Sequence, residues 1–106
     1  MSKRDDLIAA VRDALRGVID PELGYNIVDL GFVYDISIDG DVAHVTMTAT
    51  SRGCPAAGFL KEGVAARASQ VEGIERADVT MTFDPPWKPA MSAPEVKSAL
   101  GFAEVN

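Results

Sequence analysis

The chain has 106 residues, 47% of them hydrophobic and 25% charged, a balance that excludes a disordered or fibrous protein and allows one modest core but not two. Ten Lys and Arg stand against sixteen Asp and Glu, a formal net charge of −6. That field repels polyphosphates and anionic lipid, so nucleic acid and membrane surfaces are not expected as partners.

Residues 1–106 are therefore expected to form a single domain. The apolar stretches are short and interrupted by charges, and Met1 to Asp6 contains no signal-peptide core, so neither a membrane span nor export is expected. A single cysteine makes no internal disulfide and no four-thiolate metal site, and a reducing cytoplasm suits it.

Residues 2–17 begin with Ser2 followed by Asp5, a capping-box spacing. They then carry Leu7, Ile8, Val11, Ala14, Leu15 and Val18 at helical intervals, with Gly17 as the stop. The segment Asp20 to Asn26 is dense in turn formers and reads as an ordered loop. From Phe32 the period becomes two: Phe32, Tyr34, Ile36 and Ile38 share one face of a strand, and Asp39-Gly40 marks a tight hairpin. The return strand places Ala43, Val45, Met47 and Ala49 on the apolar face and His44, Thr46, Thr48 and Thr50 on the other.

Ser51-Arg52-Gly53-Cys54-Pro55 breaks that alternation, and Ala57, Leu60, Val64, Ala68 and Val71 then recur at helical spacing behind a proline suited to a first turn. Ala77, Val79, Met81 and Phe83 alternate as a third strand, which a helical connection should make parallel to the second, through a right-handed crossover. Three prolines in Asp84-Pro85-Pro86-Trp87-Lys88-Pro89 impose an extended course. A short helix over 92–100 is expected, with Ser92 and Glu95 as its cap and Gly101 as its end. The sum is a small two-layer α/β domain: a mixed sheet of about three strands with helices on one face.

Cys54 falls just before Pro55 at the expected start of the second helix, where unpaired N–H groups and the positive end of the dipole favour a thiolate. Arg52 adds positive charge if it turns inward, and Gly53 leaves the sulfur approachable. The competing reading is a small buried hydrophobe, the common fate of a lone cysteine; the Gly-Cys-Pro setting favours the loop thiol. Asp20, Glu22 and Asp29 form an acidic group that could bind a hard metal or move a proton. On the residues alone the simpler reading is preferred, in which Asp20 caps a turn and Glu22 is solvated.

His44 is a single imidazole on a strand face and is not expected to ligate metal. Trp87, held by two prolines, reads either as an interface anchor or as a lid folded back over the core edge, and the lid is preferred. Met47 and Met81 are expected in the core.

Four spaced motifs, Asp20-Pro21-Glu22-Leu23-Gly24, Asn26-Ile27-Val28-Asp29-Leu30-Gly31, Gly53-Cys54-Pro55 and Asp84-Pro85-Pro86-Trp87, together resemble the SufT-like family of iron–sulfur cluster assembly factors. The domain is shared with PaaD accessory proteins and with the N-terminus of some cluster-carrier ATPases. The resemblance runs from Leu7 to Gly101 and implies a fold like the C-terminal cluster-assembly domain of NifU-type scaffolds. It also implies that Cys54 is the reactive cysteine, that Asp20, Glu22 and Asp29 line its cleft, and that Thr48, Thr50 and Trp87 border it. Many relatives carry a proline before the glycine where this chain has Arg52, a change in charge or access at the thiol. The cysteine-rich segment of PaaD-type proteins and a P-loop are both missing from the sequence, so a strict PaaD equivalent is not expected and any nucleotide-driven step needs another protein.

The expectation that follows is a non-enzymatic accessory factor whose Cys54 touches iron or sulfide of a cluster during delivery to client metalloproteins. No cofactor is expected to be stably bound. One thiolate does not hold a cluster, so contact is transient, or a second Cys54 across a homodimer or a carrier, scaffold or client partner supplies the remaining ligands. The alternative is a metal-free adaptor, or a PaaD-like accessory protein for a multicomponent oxygenase.

Overall fold

The computed structural model describes residues 3–50 and 56–101. Helix α1 covers Lys3–Leu15, with Asp5 and Asp6 in its first turn and Arg12 in its last, charges that complement the helix dipole. Val11 and Leu15 are buried and Leu7 and Ile8 pack against the core. The helix stops before the position expected from Gly17. Arg16 and Gly17 form a tightened turn, donating to the carbonyls of Asp13 and Ala14. A Cβ at Gly17 would meet only the end of the flexible, exposed Arg67 side chain, 2.7 Å from its guanidinium. The proposed Ser2 cap lies outside the described residues.

Strands β1 (Val33–Asp39) and β2 (Val42–Met47) pair antiparallel, with a register shift between Val33 and Asp35. They are joined through Gly40, whose φ of 63° is the left-handed value a tight hairpin turn requires. Helix α2 (Ala56–Ser69) leads to strand β3 (Arg76–Met81), which runs parallel to β2. The sheet order is β1-β2-β3, the mixed sheet expected from the sequence. A 3-10 turn over Pro89–Met91 precedes helix α3 (Pro94–Leu100), which Gly101 ends at a φ of 78°.

Helix α1 packs on β1 and α2, and α2 packs on β3. Between these layers lie Ile36 and Ile38 of β1, Ala43, Val45 and Met47 of β2, and Leu60, Val64 and Ala68 of α2. Removing such side chains from water is the main stabilising term of the fold. On the opposite sheet face Ser37, His44 and Asp78 stand in one row, and His44 Nδ1 lies 3.8 Å from the Asp78 carboxylate.

Two local expectations are corrected. Thr48, assigned by alternation to the polar face, is fully buried, because β2 ends at Met47 and the chain turns inward. Its N–H donates to Phe32 O at 2.8 Å and its hydroxyl to Ala49 O at 3.2 Å. Ser92 does not cap α3; Ala93 occupies the N-cap without a side-chain bond, and the Ser92 hydroxyl donates to Leu30 O at 3.3 Å. On the outer side of α2, Phe59 lies off the stripe formed by Leu60, Val64 and Ala68 and is 62% exposed.

Candidate functional site

The loop between α1 and β1 is organised by its own short polar side chains. Asp20 Oδ2 accepts the Leu23 N–H at 3.1 Å, while the Asp20 backbone donates to Tyr25 O and accepts from Gly24 N. This is a side-chain-capped turn. The residue is only 1% exposed. Burial pushes its carboxyl above the ordinary value of 3.8, against the pull of the Leu23 N–H and with a further push from the Glu22 charge.

Six positions on, Asn26 repeats the device. Its Oδ1 accepts the Asp29 N–H at 2.9 Å and its Nδ2 donates to Asp29 Oδ2 at 2.9 Å. Asp29 Oδ1 accepts from Arg16 at 3.1 Å, and the Asp29 carbonyl accepts the Ala93 N–H at 2.7 Å.

Backbone bonds carry this loop to the end of β2. Ile27 N donates to Val18 O, Phe32 N to Ile27 O, and Thr48 N to Phe32 O, each at 2.8–3.0 Å. Thr48 begins the connection that runs through the Gly53-Cys54-Pro55 motif to α2, so the acidic loop and the base of that connection share one hydrogen-bonded framework.

The tail closes over the same framework. Trp87 Nε1 donates to Leu30 O at 2.7 Å, and its ring stands edge-to-face on Phe32, 5.2 Å between centroids at 89°. Tyr34 donates to Pro85 O at 2.8 Å. Gly31, at a φ of 80°, leaves no room for a side chain: a Cβ would lie 2.4 Å from Met91 O. Of the two readings of Trp87, the lid over the core edge is the one observed.

Of the residues singled out in the sequence, Asp20 and Asp29 are turn organisers, Glu22 and Thr50 are exposed, Thr48 is buried, and Trp87 is half-buried on Phe32. Cys54, Arg52 and Gly53 lie outside the described residues. Among the described residues no three His, Cys, Asp or Glu side chains converge on a point that could hold a metal ion, so Asp20, Glu22 and Asp29 do not form a carboxylate metal site. The sequence reading did not single out Arg16, Asn26 or Tyr34, and it gave Ser92 a different partner. Only Asn26, three positions before Asp29, carried a local signal, the spacing of an Asx turn.

Residues 8–81 match the profile of the family described as "Iron-sulfur cluster assembly protein". The chain belongs to that family. The matched span contains the Asp20 loop, the β-hairpin, the Gly53-Cys54-Pro55 motif, α2 and β3, whereas the Trp87 tail lies beyond it. Among similar members, the Bacillus subtilis protein named "Fe-S protein maturation auxiliary factor YitW" is 39% identical over 93 residues, spanning 87% of this chain and 91% of its own. The Staphylococcus aureus protein named "Fe-S protein maturation auxiliary factor SufT" is 40% identical over 87 residues, 81% of this chain and 99% of its own. The crystal structure of a domain of unknown function, DUF59, from Bacillus anthracis superposes with a TM-score of 0.88 at 38% identity, covering 92% of this chain and 94% of that one. At that coverage the likeness extends beyond the 8–81 span of the family match.

Proposed function

We propose that this family member is a non-catalytic accessory factor that assembles iron–sulfur clusters or delivers them to client metalloproteins, and that Cys54 is the group that touches the cargo. The observation that carries the reading is the family match over residues 8–81, joined to relatives named for Fe-S protein maturation over almost their full length.

The role of the thiol rests on position. Cys54 precedes the first residue of α2, Ala56, by two positions. A helix of this length presents unpaired N–H groups and a positive dipole end that favour thiolate over thiol. The framework that joins Asp20, Phe32, Thr48 and Trp87 gives the connection carrying Cys54 a fixed base at Thr48. One thiolate per chain supplies too few ligands for a cluster, so the cargo is handed on with ligands from a carrier, scaffold or client. The cytoplasm, where thiols stay reduced and clients are made, is the compartment for such work; no described helix is long and apolar enough to cross a membrane.

The test is complementation of a strain lacking this chain, with wild type or Cys54→Ser, reading the activity of cluster-dependent enzymes in anaerobic extract alongside the thermal unfolding of each purified protein. The expected result is an equally stable variant that fails to restore those enzymes. Full restoration by Cys54→Ser removes the thiol from the mechanism and leaves a metal-free adaptor; no dependence of the enzymes on the chain at all overturns the assembly role itself.

A further inference from the structure

Strand β3 is an edge of the sheet. The Thr82 N–H donates to Met47 O of β2, and the Arg76 N–H points to the same side, toward Asp41 O. Backbone direction alternates along a strand. The N–H and C=O groups of Ala77, Val79 and Met81 therefore point away from β2, and no described backbone group pairs with them. The other edge, β1, carries a register shift near Val33 and exposed Asp35 and Asp39, devices that discourage pairing. Strand β3 contains no proline and no bulge.

Beside this edge runs a groove of about 530 Å³ between β3 and α2, lined by Gly58, Lys61, Glu62 and Ala65 together with Ala77, Asp78 and Val79. The four α2 residues recur on one helix face, and Gly58 and Ala65 are small enough to admit another helix closely. Lys61 and Glu62 are exposed and form no ion pair among the described residues.

We infer that the β3 edge and the adjoining face of α2 are the docking surface for a second copy of this chain, paired antiparallel through β3 about Val79 so that two three-stranded sheets become one. Charge complementarity selects this occupant. A two-fold contact brings each residue's patch against its own copy, and the neighbouring Lys61 and Glu62 are self-complementary in that arrangement: Lys61 of one copy meets Glu62 of the other, and the reverse. The register follows from the same rule. Outward-pointing residues must face outward-pointing residues, so Val79 lies opposite Val79, with Ala77 opposite Met81 on either side. This pairing sets Asp78 opposite Thr80, whereas a shift by two residues would set Asp78 opposite Asp78 at a cost. Because β3 is parallel to β2, the two β2 exits at Met47 leave the joined sheet in opposite directions.

The test is sedimentation equilibrium over a concentration series, with amide hydrogen exchange on the same samples. Wild type should dimerise. The amides of Ala77, Val79 and Met81 should gain protection as concentration rises, while those of Asp78 and Thr80 are protected throughout. Lys61→Glu and Glu62→Lys should each weaken the dimer about tenfold or more, and the double exchange K61E/E62K should recover most of the loss. Val79→Pro, which removes an outward donor together with a side chain packed against the core, should abolish dimerisation while its unfolding curve still shows a folded monomer. A wild type that stays monomeric at all concentrations overturns the proposal. So does a dimer indifferent to both charge reversals and proline, or one without protection at Val79, or an edge protected only when an extended client peptide is added.

Discussion

The indole N–H of Trp87 is hydrogen-bonded to the carbonyl of Leu30 at 2.7 Å, across 57 residues of sequence. That carbonyl also accepts from the Ser92 hydroxyl at 3.3 Å, so one backbone oxygen anchors both sides of the proline-rich tail. Trp87→Phe keeps the edge-to-face contact with Phe32 and loses one donor, and the oxygen keeps its second partner. The expected cost is about 1 kcal/mol in urea denaturation. Trp87→Ala also loses the ring and should cost about 3 kcal/mol.

Gly31 and Gly24 separate backbone strain from crowding. Both have positive φ, 80° and 77°. A Cβ at Gly24 meets nothing within 4 Å, whereas one at Gly31 strikes Met91 O at 2.4 Å. Gly24→Ala should lower stability by about 1–2 kcal/mol, the conformational term alone. Gly31→Ala should lose clearly more and loosen the tail, seen as faster amide exchange at Ala93, whose N–H bonds Asp29 O.

The acid limb of stability reports Asp20. Its carboxyl titrates above 3.8 in the folded protein, chiefly through burial, so the folded state binds the proton more tightly than the unfolded chain. The sign follows from linkage: this residue's contribution is fully present below about 3.9 and is lost as pH rises through the folded value. Asp20→Asn keeps an acceptor for the Leu23 N–H and cannot ionise. Denaturation between the two values should show a flatter pH dependence for the variant, and the wild-type carboxyl resonance should titrate above 3.8.

Asp29 has two side-chain partners of unequal worth. Its pair with Arg16 is solvent-exposed on both sides, and Arg16→Ala should cost less than about 1 kcal/mol, falling with added salt. Asn26→Ala removes both an acceptor for the Asp29 N–H and a donor to its carboxylate. A loss of about 1–2 kcal/mol, little affected by salt, is expected in thermal or urea unfolding.

The sequence by itself determined the features that depend on neighbours along the chain. Alternation in 33–39 and 42–47, the apolar stripe Leu60, Val64 and Ala68, and glycines with positive φ at Gly40 and Gly101 follow from period and turn chemistry, and they were enough to lay out a mixed sheet with a parallel β3. The motifs were enough to point to the family. Only the tertiary structure decided which partner each polar side chain takes. Ser92 has the spacing of a cap, yet its hydroxyl bonds Leu30 O, 62 residues away. Thr48 alternates with buried residues and is itself buried, because Phe32 O takes its N–H as β2 ends. Trp87 could have stood out as an anchor, but the Leu30 carbonyl and the Phe32 ring lie where it folds back. A hydrogen bond is satisfied by whichever partner the fold brings within reach, and distance along the chain does not encode which carbonyl that is.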